Sequence, residues 1–450
     1  MILSIGRGVF CYNLTTPIRE KIRKDLTFKN PVYEEAKEKG RYISLDTHPH
    51  IYFYVFDKED DVYWIPRGYL YFLKRWLNQQ GIEVKIRDKT LLHKPLNLKF
   101  LGELREYQDL AVNDMVRRYP VGVLEASTGS GKTVMGLAII AQRQQRTLIL
   151  VHNKELLYQW QAQIKKFIGV DCGILGDGKF NIQDITVGIV NTVRNNVERL
   201  SKQFGQVVCD ECHRVASTTW TDIMQEFPAK FYLGLSATPY RRDGLGMAIN
   251  AFIGPKLHTV DKDMLHEIGA VLKPTIFRIE TSFRYLYKND YSTMVSRLAD
   301  NDARNELIAR AIQHDLNVND DNVLVVSDRV THCRNIADEL ELKGISSLIL
   351  HGKVKQKERN TIVEEVRAGR CKVLISTLSL IGEGFDAPNL SSLFLTTPVK
   401  FSGRLLQVIG RILRPEEGKE PRVFDFRDNG VGVLRNQGFT RDRIYKKQWK

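Results

Sequence analysis

From about residue 100 onward, short β-branched runs alternate with stretches of helical spacing, and they do so in two series. The first series is Val121 to Leu124, Thr147 to Val151, Ile185 to Val190, Gln206 to Cys209 and Phe231 to Leu235. The second is Val323 to Val326, Ser347 to Leu350, Lys372 to Ile375, Ser392 to Leu395 and Arg422 to Phe426. Strands that are apolar almost throughout are buried on both faces, and the helices between them supply the crossovers that parallel strands require. The chain is therefore expected to be α/β, with two parallel-sheet lobes meeting between Phe252 and Pro274.

The first hundred residues have another character. Eleven aromatics lie from Tyr42 to Trp76. Ile51 to Phe56 and Val62 to Ile65 are expected as two strands around the acidic turn Asp57 to Asp61. Pro66-Arg67-Gly68 then opens a helix with Tyr69, Phe72, Leu73, Trp76 and Leu77 on one face and Gly81 as its cap. A small α+β module is expected here, its aromatics forming a core or, alternatively, a base-stacking platform with exposable rings such as Trp64.

Composition excludes several classes. With 43% hydrophobic and 27% charged residues in 450, the chain is neither disordered nor fibrous. No apolar run approaches the roughly eighteen residues of a membrane span, and Arg7 interrupts the N-terminus too early for a signal peptide. Six cysteines without paired spacing fit a reducing cytoplasm. The net charge of +14 is uneven. Residues 1–100 carry 18 Lys and Arg against 12 Asp and Glu, residues 101–400 carry 37 against 35, and residues 401–450 carry 12 against 6. An anionic partner for the two ends and a merely solvated basic surface both fit this pattern.

Two motifs carry chemistry. Ala126-Ser127-Thr128-Gly129-Ser130-Gly131-Lys132-Thr133 follows an expected strand and precedes the helical Val134 to Ala141. Its glycines let backbone N–H groups turn toward a phosphate at the helix start; Lys132 would reach the β- and γ-oxygens, and Thr133 would ligate Mg²⁺. Downstream, Gln206 to Cys209 runs into Asp210-Glu211-Cys212-His213. A strand-end carboxylate suits the Mg²⁺ partner, and the next carboxylate suits the attacking water. A zinc half-site at Cys209, Cys212 and His213 is the rival reading, disfavoured because no second ligand pair has suitable spacing.

With these motifs in place the chain resembles the superfamily 2 helicases over roughly residues 100–430. Arg105-Glu-Tyr107-Gln108 is similar to the family's adenine-reading element, and Gln159-Trp160 and Asn191-Thr192 to its strand-contacting motifs. Asp210 to His213 is a variant of the D-E-x-H box, and Ser236-Ala237-Thr238 matches the motif that links nucleotide state to nucleic acid. In the second lobe, Ser327-Asp328-Arg329, His351-Gly352, Ser376-Thr377, Gly382-Glu-Gly384-Phe-Asp386 and Gln407-Val-Ile-Gly410-Arg411-Ile-Leu-Arg414 follow in the family's order. The resemblance implies two RecA-like lobes, ATP and Mg²⁺ as cofactors, and catalysis by Lys132, Asp210, Glu211, Gln407 and the arginine fingers Arg411 and Arg414. It implies nucleotide contacts from Arg105, Tyr107, Gln108, the loop 127–133, Gly384 and Asp386, with Thr133 and Asp210 on the metal. Ser236, Thr238 and His213 would couple hydrolysis to the strand, and Gln159, Thr192, Arg329, Gly352 and Thr377 would touch DNA. An N-cap or strand role for Thr192 and Thr377 is equally compatible.

The D-E-C-H box and Ser-Ala-Thr-Pro239-Tyr-Arg241-Arg-Asp243 look more like DNA repair and recombination translocases than RNA helicases, and the layout resembles phage recombination helicases of the UvsW type. The resemblance implies remodelling of branched DNA: branch migration, fork regression and D-loop unwinding; a monomer in the cytoplasm, of the host if phage-encoded, is expected. RNA unwinding, duplex translocation without strand separation, and an ATP-controlled DNA clamp are the alternatives. No membrane and no zinc are expected. The expected division is an accessory module at 1–95, lobe 1 with the ATP site at 96–260, lobe 2 at 261–435 and a basic tail at 436–450.

Overall fold

The computed structural model describes residues 1–450 except 216–217, 238–244, 320, 382–388, 400–401 and 450. Thr238, Gly384 and Asp386 thus lie outside the described residues. The chain forms two compact units, residues 1–127 with 131–261 and residues 262–450 with 128–130.

The main sheet of the first unit has eight strands. From edge to edge they are Lys179–Asn181, Gly173–Gly176, Ile185–Ile189, Thr147–Val151, Gln206–Asp210, Phe231–Ser236, Val121–Glu125 and Lys256–Thr259. All neighbours are parallel except the first pair. Thr147–Val151 and Gln206–Asp210 are buried along their whole length, as strands covered by helices on both faces must be. The second unit holds a six-stranded, all-parallel sheet in the order Thr275–Glu280, Arg422–Arg427, Leu390–Leu395, Asn322–Ser327, Val373–Thr377 and Ser347–Leu350. In the first sheet the fully buried strands are central and the exposed strand Lys179–Asn181 lies at an edge.

The N-terminal residues build a five-stranded sheet ordered Val55–Asp57, Val62–Ile65, Val9–Tyr12, Ile2–Ile5 and Lys85–Asp88. Its helix Tyr69–Gln79 ends before Gly81 at φ +67°, the left-handed turn that glycine adopts without a Cβ penalty. The single strand expected from Ile51 to Phe56 is instead two. His50–Tyr52 pairs with Thr27–Lys29, and Val55–Asp57 pairs with Val62–Ile65. Between them Phe53 donates its N–H to the Leu26 carbonyl at 2.9 Å, and its ring is buried, edge-on to Phe252 at 5.2 Å. Trp64 covers Gly8 so closely that a Cβ there would lie 2.2 Å from its Nε1, so the ring is packed rather than presented.

This sheet shares one hydrophobic core with the large sheet, running from Leu3 and Tyr63 through Leu77 to Val121, Tyr232 and Ile253. Arg67 fastens the two. Its guanidinium donates to the carbonyls of Ala229 and Lys230 and lies 4.5 Å over the Tyr232 ring. A Cβ on Gly68 would meet the Asn250 carbonyl and the Gly254 nitrogen at 2.3 Å.

In the second unit, residues 436–448 continue a helix, Gly432–Gln448, that begins before the expected tail. Asp425 of the underlying strand anchors it. Its carboxylate accepts from Arg441 Nε at 2.9 and 3.0 Å and from Tyr445 Oη at 2.8 Å, with Arg427 Nη2 at 2.9 Å. A buried charge met by several donors is costly to uncouple.

Candidate nucleotide site

Three parallel strands of the first sheet, Gln206–Asp210, Phe231–Ser236 and Val121–Glu125, lie side by side. Their register sets Asp210 against Leu235 and Ser236 against Glu125, so the chemistry-bearing residues emerge together at the C-terminal strand ends. The loop after Glu125 leads into the helix Lys132–Arg143. Gly129 at φ +90° and Gly131 at φ +84° are left-handed, the backbone needed for successive N–H groups to converge at a helix start. Ser130 is fully buried, while Ser127, Thr128 and Thr133 keep partial exposure. Lys132 Nζ donates back to the carbonyls of Ala126 at 3.1 Å and Ser127 at 3.4 Å.

Arg105, Tyr107 and Gln108 open the helix Glu106–Arg117. Gln108 Oε1 accepts from the Arg105 N–H at 3.0 Å, and its Nε2 donates to Tyr107 Oη at 3.3 Å. That Nε2 would be 2.4 Å from any Cβ on Gly131. The residues expected to read adenine therefore lie against the loop 127–133, and the left-handed φ of +84° favours glycine at position 131.

Both Asp210 oxygens are engaged. Oδ2 accepts from Trp160 Nε1 at 2.9 Å, and Oδ1 accepts from the Glu211 N–H at 2.9 Å. Glu211 itself takes φ +50°, ψ +50°, a left-handed conformation uncommon outside glycine. His213 Nδ1 stands 3.2 Å from Glu211 Oε2 and 3.3 Å from Ser236 Oγ, bridging the carboxylate and the next strand end. Burial pushes the Asp210 carboxyl up, and the Glu211 charge adds to it, outweighing the Trp160 hydrogen bond and Lys132. Burial also opposes ionisation of Glu211, but His213 and Lys132 overcome it and hold that carboxyl low. The donor set, a threonine hydroxyl at a helix start and a carboxylate with lone pairs to spare, suits a hard divalent cation such as Mg²⁺.

Trp160 is the site residue that sequence reasoning did not single out. Gln159, expected to touch DNA, is partly exposed on the helix Lys154–Phe167, and its neighbour Trp160 is 1% exposed and points at Asp210. A buried indole needs an acceptor for its N–H, which was the available signal. Gly136 leaves room for it, since a Cβ there would lie 3.3 Å from the indole ring.

The remaining expected residues are dispersed. Thr192 sits inside the short helix Val190–Arg194, neither capping it nor in a strand. Arg329 precedes the helix Val330–Glu341 and donates to Ser292 Oγ at 2.8 Å. Thr377 closes the strand Val373–Thr377, 7% exposed. Gly352 is exposed, its carbonyl accepting from Arg359 Nη2 at 2.8 Å. Gln407 lies partly exposed on the helix Ser402–Ile409. Arg411 follows that helix, 9% exposed, with Nε donating to the Ile381 carbonyl at 3.0 Å. Burial and then the Arg367 charge lower the Arg414 guanidinium from its usual value.

Cys209 and Cys212 are buried, and burial pushes both thiols upward; Cys209 Sγ is 3.5 Å from Met224 Sδ. All six cysteines are free and buried. Among the described residues no group of three or more His, Cys, Asp or Glu side chains is placed to hold a metal. Nor is any helix among them long and apolar enough to cross a membrane.

Residues 101–241 match the family model of the Type III restriction enzyme, res subunit, and residues 303–416 match the Helicase conserved C-terminal domain. The chain is 29% identical to Probable helicase D10 of Escherichia phage T5, over 87% of this chain and 85% of that one. It is 24% identical to the DNA 3'-5' translocase XPB2 of Sulfurisphaera tokodaii, over 81% and 90%. The structure of S. cerevisiae Dbp5 bound to RNA and ADP BeF3 has TM-score 0.56 at 16% identity, covering 78% of this chain and 95% of that one, and so shares the fold. Two helicase models matched in this order, on two parallel-sheet lobes, make the chain a superfamily 2 helicase, an ATP-hydrolysing enzyme.

Proposed function

We propose that the chain is an ATP-dependent DNA helicase or translocase that remodels branched DNA through branch migration, fork regression or D-loop unwinding in recombination, repair or replication. The observation that carries the ATP-driven part is the line from Glu211 through His213 to Ser236, which joins the carboxylate beside the phosphate loop to the motif that answers to nucleic acid. DNA rather than RNA is supported by the likeness to XPB2, named a DNA translocase, and by the D-E-C-H box.

In this reading Lys132 and the loop residues 127–131 hold the phosphates, Thr133 and Asp210 hold Mg²⁺, and Arg105, Tyr107 and Gln108 receive the adenine. Bound Mg²⁺ supplies positive charge against the phosphate oxygens. Glu211, kept ionised by His213 and Lys132, orients the attacking water and accepts its proton as the bond from the γ-phosphorus to ADP breaks. Gln407, Arg411 and Arg414 stabilise the charge that develops on the γ-phosphoryl group, a role worth on the order of 10³–10⁵ in rate for an arginine finger. His213 and Ser236 pass the change on, and Gln159, Thr192, Arg329, Gly352 and Thr377 hold the strand by its backbone, which positions without reading sequence.

The test is ATP hydrolysis and strand displacement measured in parallel on a four-way DNA junction, a fork, a blunt DNA duplex and an RNA duplex. DNA-stimulated turnover with junction and fork processing is expected. Lys132→Ala should abolish hydrolysis and leave DNA binding largely intact. Absence of stimulation by any nucleic acid would sink the reading, and stimulation by RNA alone would replace DNA with RNA.

A further inference from the structure

The helix Gly432–Gln448 shows solvent a stripe that the ATP chemistry leaves unused. Arg435, Phe439, Arg443 and Lys447 recur at every fourth residue, with Lys446 beside them, and all five are exposed, Phe439 at 56%. Residues four apart share one face of a helix. Asp442 borders the stripe, but its carboxylate faces Arg278 at 2.7 Å and Arg427 at 2.9 Å. Among the described residues none of the four cations has an acidic partner.

The stripe is held still. Arg441 and Tyr445, on the opposite face, converge on buried Asp425, and the Lys447 carbonyl accepts from Lys262 Nζ at 2.8 Å. Its first turns also adjoin a residue expected to touch the strand. Tyr291 Oη donates to Gln437 Oε1 at 3.2 Å, while Arg329 Nη2 donates to Ser292 Oγ at 2.8 Å. Gln437 and Arg329 are thus tied to consecutive residues. From Arg435 to Lys447 the helix rises about 18 Å, at 1.5 Å per residue, enough to follow several phosphates. A membrane-surface helix needs a continuous apolar face, which a single exposed phenylalanine does not supply.

We propose that this helix is a nucleic-acid contact in which Arg435, Arg443, Lys446 and Lys447 bind the phosphodiester backbone and Phe439 stacks on a base of the same strand, extending a track that starts at Arg329. The inference rests on the helicase reading above and adds a surface to it. Phosphate contacts are lost with added salt in proportion to their number, whereas stacking is much less salt-sensitive.

The experiment uses the full chain carrying Arg435→Ala, Arg443→Ala and Lys447→Ala together, a second variant with Phe439→Ala alone, and a charge-preserving control with Arg435→Lys and Arg443→Lys. Binding to a labelled single-stranded DNA, a forked duplex and the same single strand as RNA is followed by fluorescence anisotropy across a salt series, with ATPase in parallel. On single strands the triple variant should show a salt slope shallower by about 2, at about 0.7 per lost phosphate contact. Its hydrolysis without nucleic acid should be unchanged, and the lysine control should keep the wild-type slope. Phe439→Ala should weaken single-strand binding severalfold at an unaltered slope. A slope change on either DNA or RNA supports the contact and shows which backbone it takes. A triple variant that binds both with wild-type affinity and slope, while the wild type is stimulated normally, overturns the helix assignment alone. A wild-type chain that binds no nucleic acid overturns the helicase reading as well.

Discussion

Glu211 adopts φ +50°, a conformation that costs a non-glycine residue of the order of 1 kcal/mol or more, and it does so between Asp210 and the helical turn Cys212–Arg214. The turn sends the Glu211 side chain toward His213 while Asp210 remains at the strand end, so adjacent carboxylates acquire different surroundings. Trp160 fixes the second of them. Trp160→Phe keeps most of the ring and removes the N–H from Asp210. A hydrogen bond to a charged group is worth about 1.5–3 kcal/mol, so kcat for ATP should fall roughly ten- to a hundredfold if that much is lost from the transition state. Steady-state ATPase, with circular dichroism to verify folding, checks this; an unchanged kcat would remove Trp160 from the site. The places of Lys132 at a helix start and of Asp210 at a strand end were legible because each follows from a short local pattern. Trp160 was not, because its partner is 50 residues away and only helix packing brings them together.

At the scale of elements, the ten strands expected in the two parallel sheets were legible to within a residue or two, since unbroken apolar runs have few alternatives to a buried strand, whereas the buried interior strand Gly173–Gly176 was missed. Among edge strands Ser347–Leu350 was foreseen, but others escaped notice. Lys85–Asp88 is exposed at all four residues, and Thr275–Glu280 at four of six with none buried, so neither is a covered apolar run. The strand Lys85–Asp88 is nevertheless tied down, because Asp88 meets Lys230 at 2.5 Å. Partial burial raises the Asp88 carboxyl, but Lys230 and Thr90 outweigh it and bring it down to about 2, from an ordinary 3.8. A lowered carboxyl stabilises the fold fully above its ordinary value, and that contribution disappears as pH falls through the folded one. The wild type should therefore lose stability between about pH 4 and pH 2 more steeply than Asp88→Asn, measured by urea midpoints along the pH series. Gly68 offers a second test. A methyl at Gly68 strikes two backbone atoms at 2.3 Å, so Gly68→Ala should cost about 1–3 kcal/mol or more as the helix Tyr69–Gln79 shifts, seen as a lower melting temperature. An unaltered melting temperature would show that the junction yields easily.

Across the whole molecule, the N-terminal module cannot be treated as an attachment. Its core residues and those of the adjoining large sheet form one cluster, with Arg67 and Phe53 reaching across. A chain starting at residue 96 would leave Ile253, Phe252 and Tyr232 uncovered, and exposed apolar surface of that kind promotes association. Such a truncation should be poorly soluble or unfold at markedly lower temperature, as light scattering and calorimetry would register. A soluble, cooperative fragment would show that the shared core is dispensable. Sequence reasoning placed a compositional break near residue 100 but had no view of this, because core sharing depends on which faces meet. Point substitutions, not deletion, are therefore the means of separating what the module contributes to DNA affinity from what it contributes to stability. The basic surplus at the two chain ends likewise resolves into unlike things: a module fused into a core, and a helix pinned by Asp425.

The six buried thiols also decide how the protein can be observed in motion. Burial raises Cys11 to about 12, Cys172 to about 11 and Cys333 to about 12, and Cys209, Cys212 and Cys371 are raised as well. Little of the reactive thiolate exists near neutrality, and what exists is shielded from solvent. A single cysteine introduced at an exposed position such as Arg443 should then take a maleimide dye selectively, with every native cysteine left in place. Pairs of such labels would turn the chain into a fluorescence ruler for the ATP cycle without first stripping sulfur from its cores.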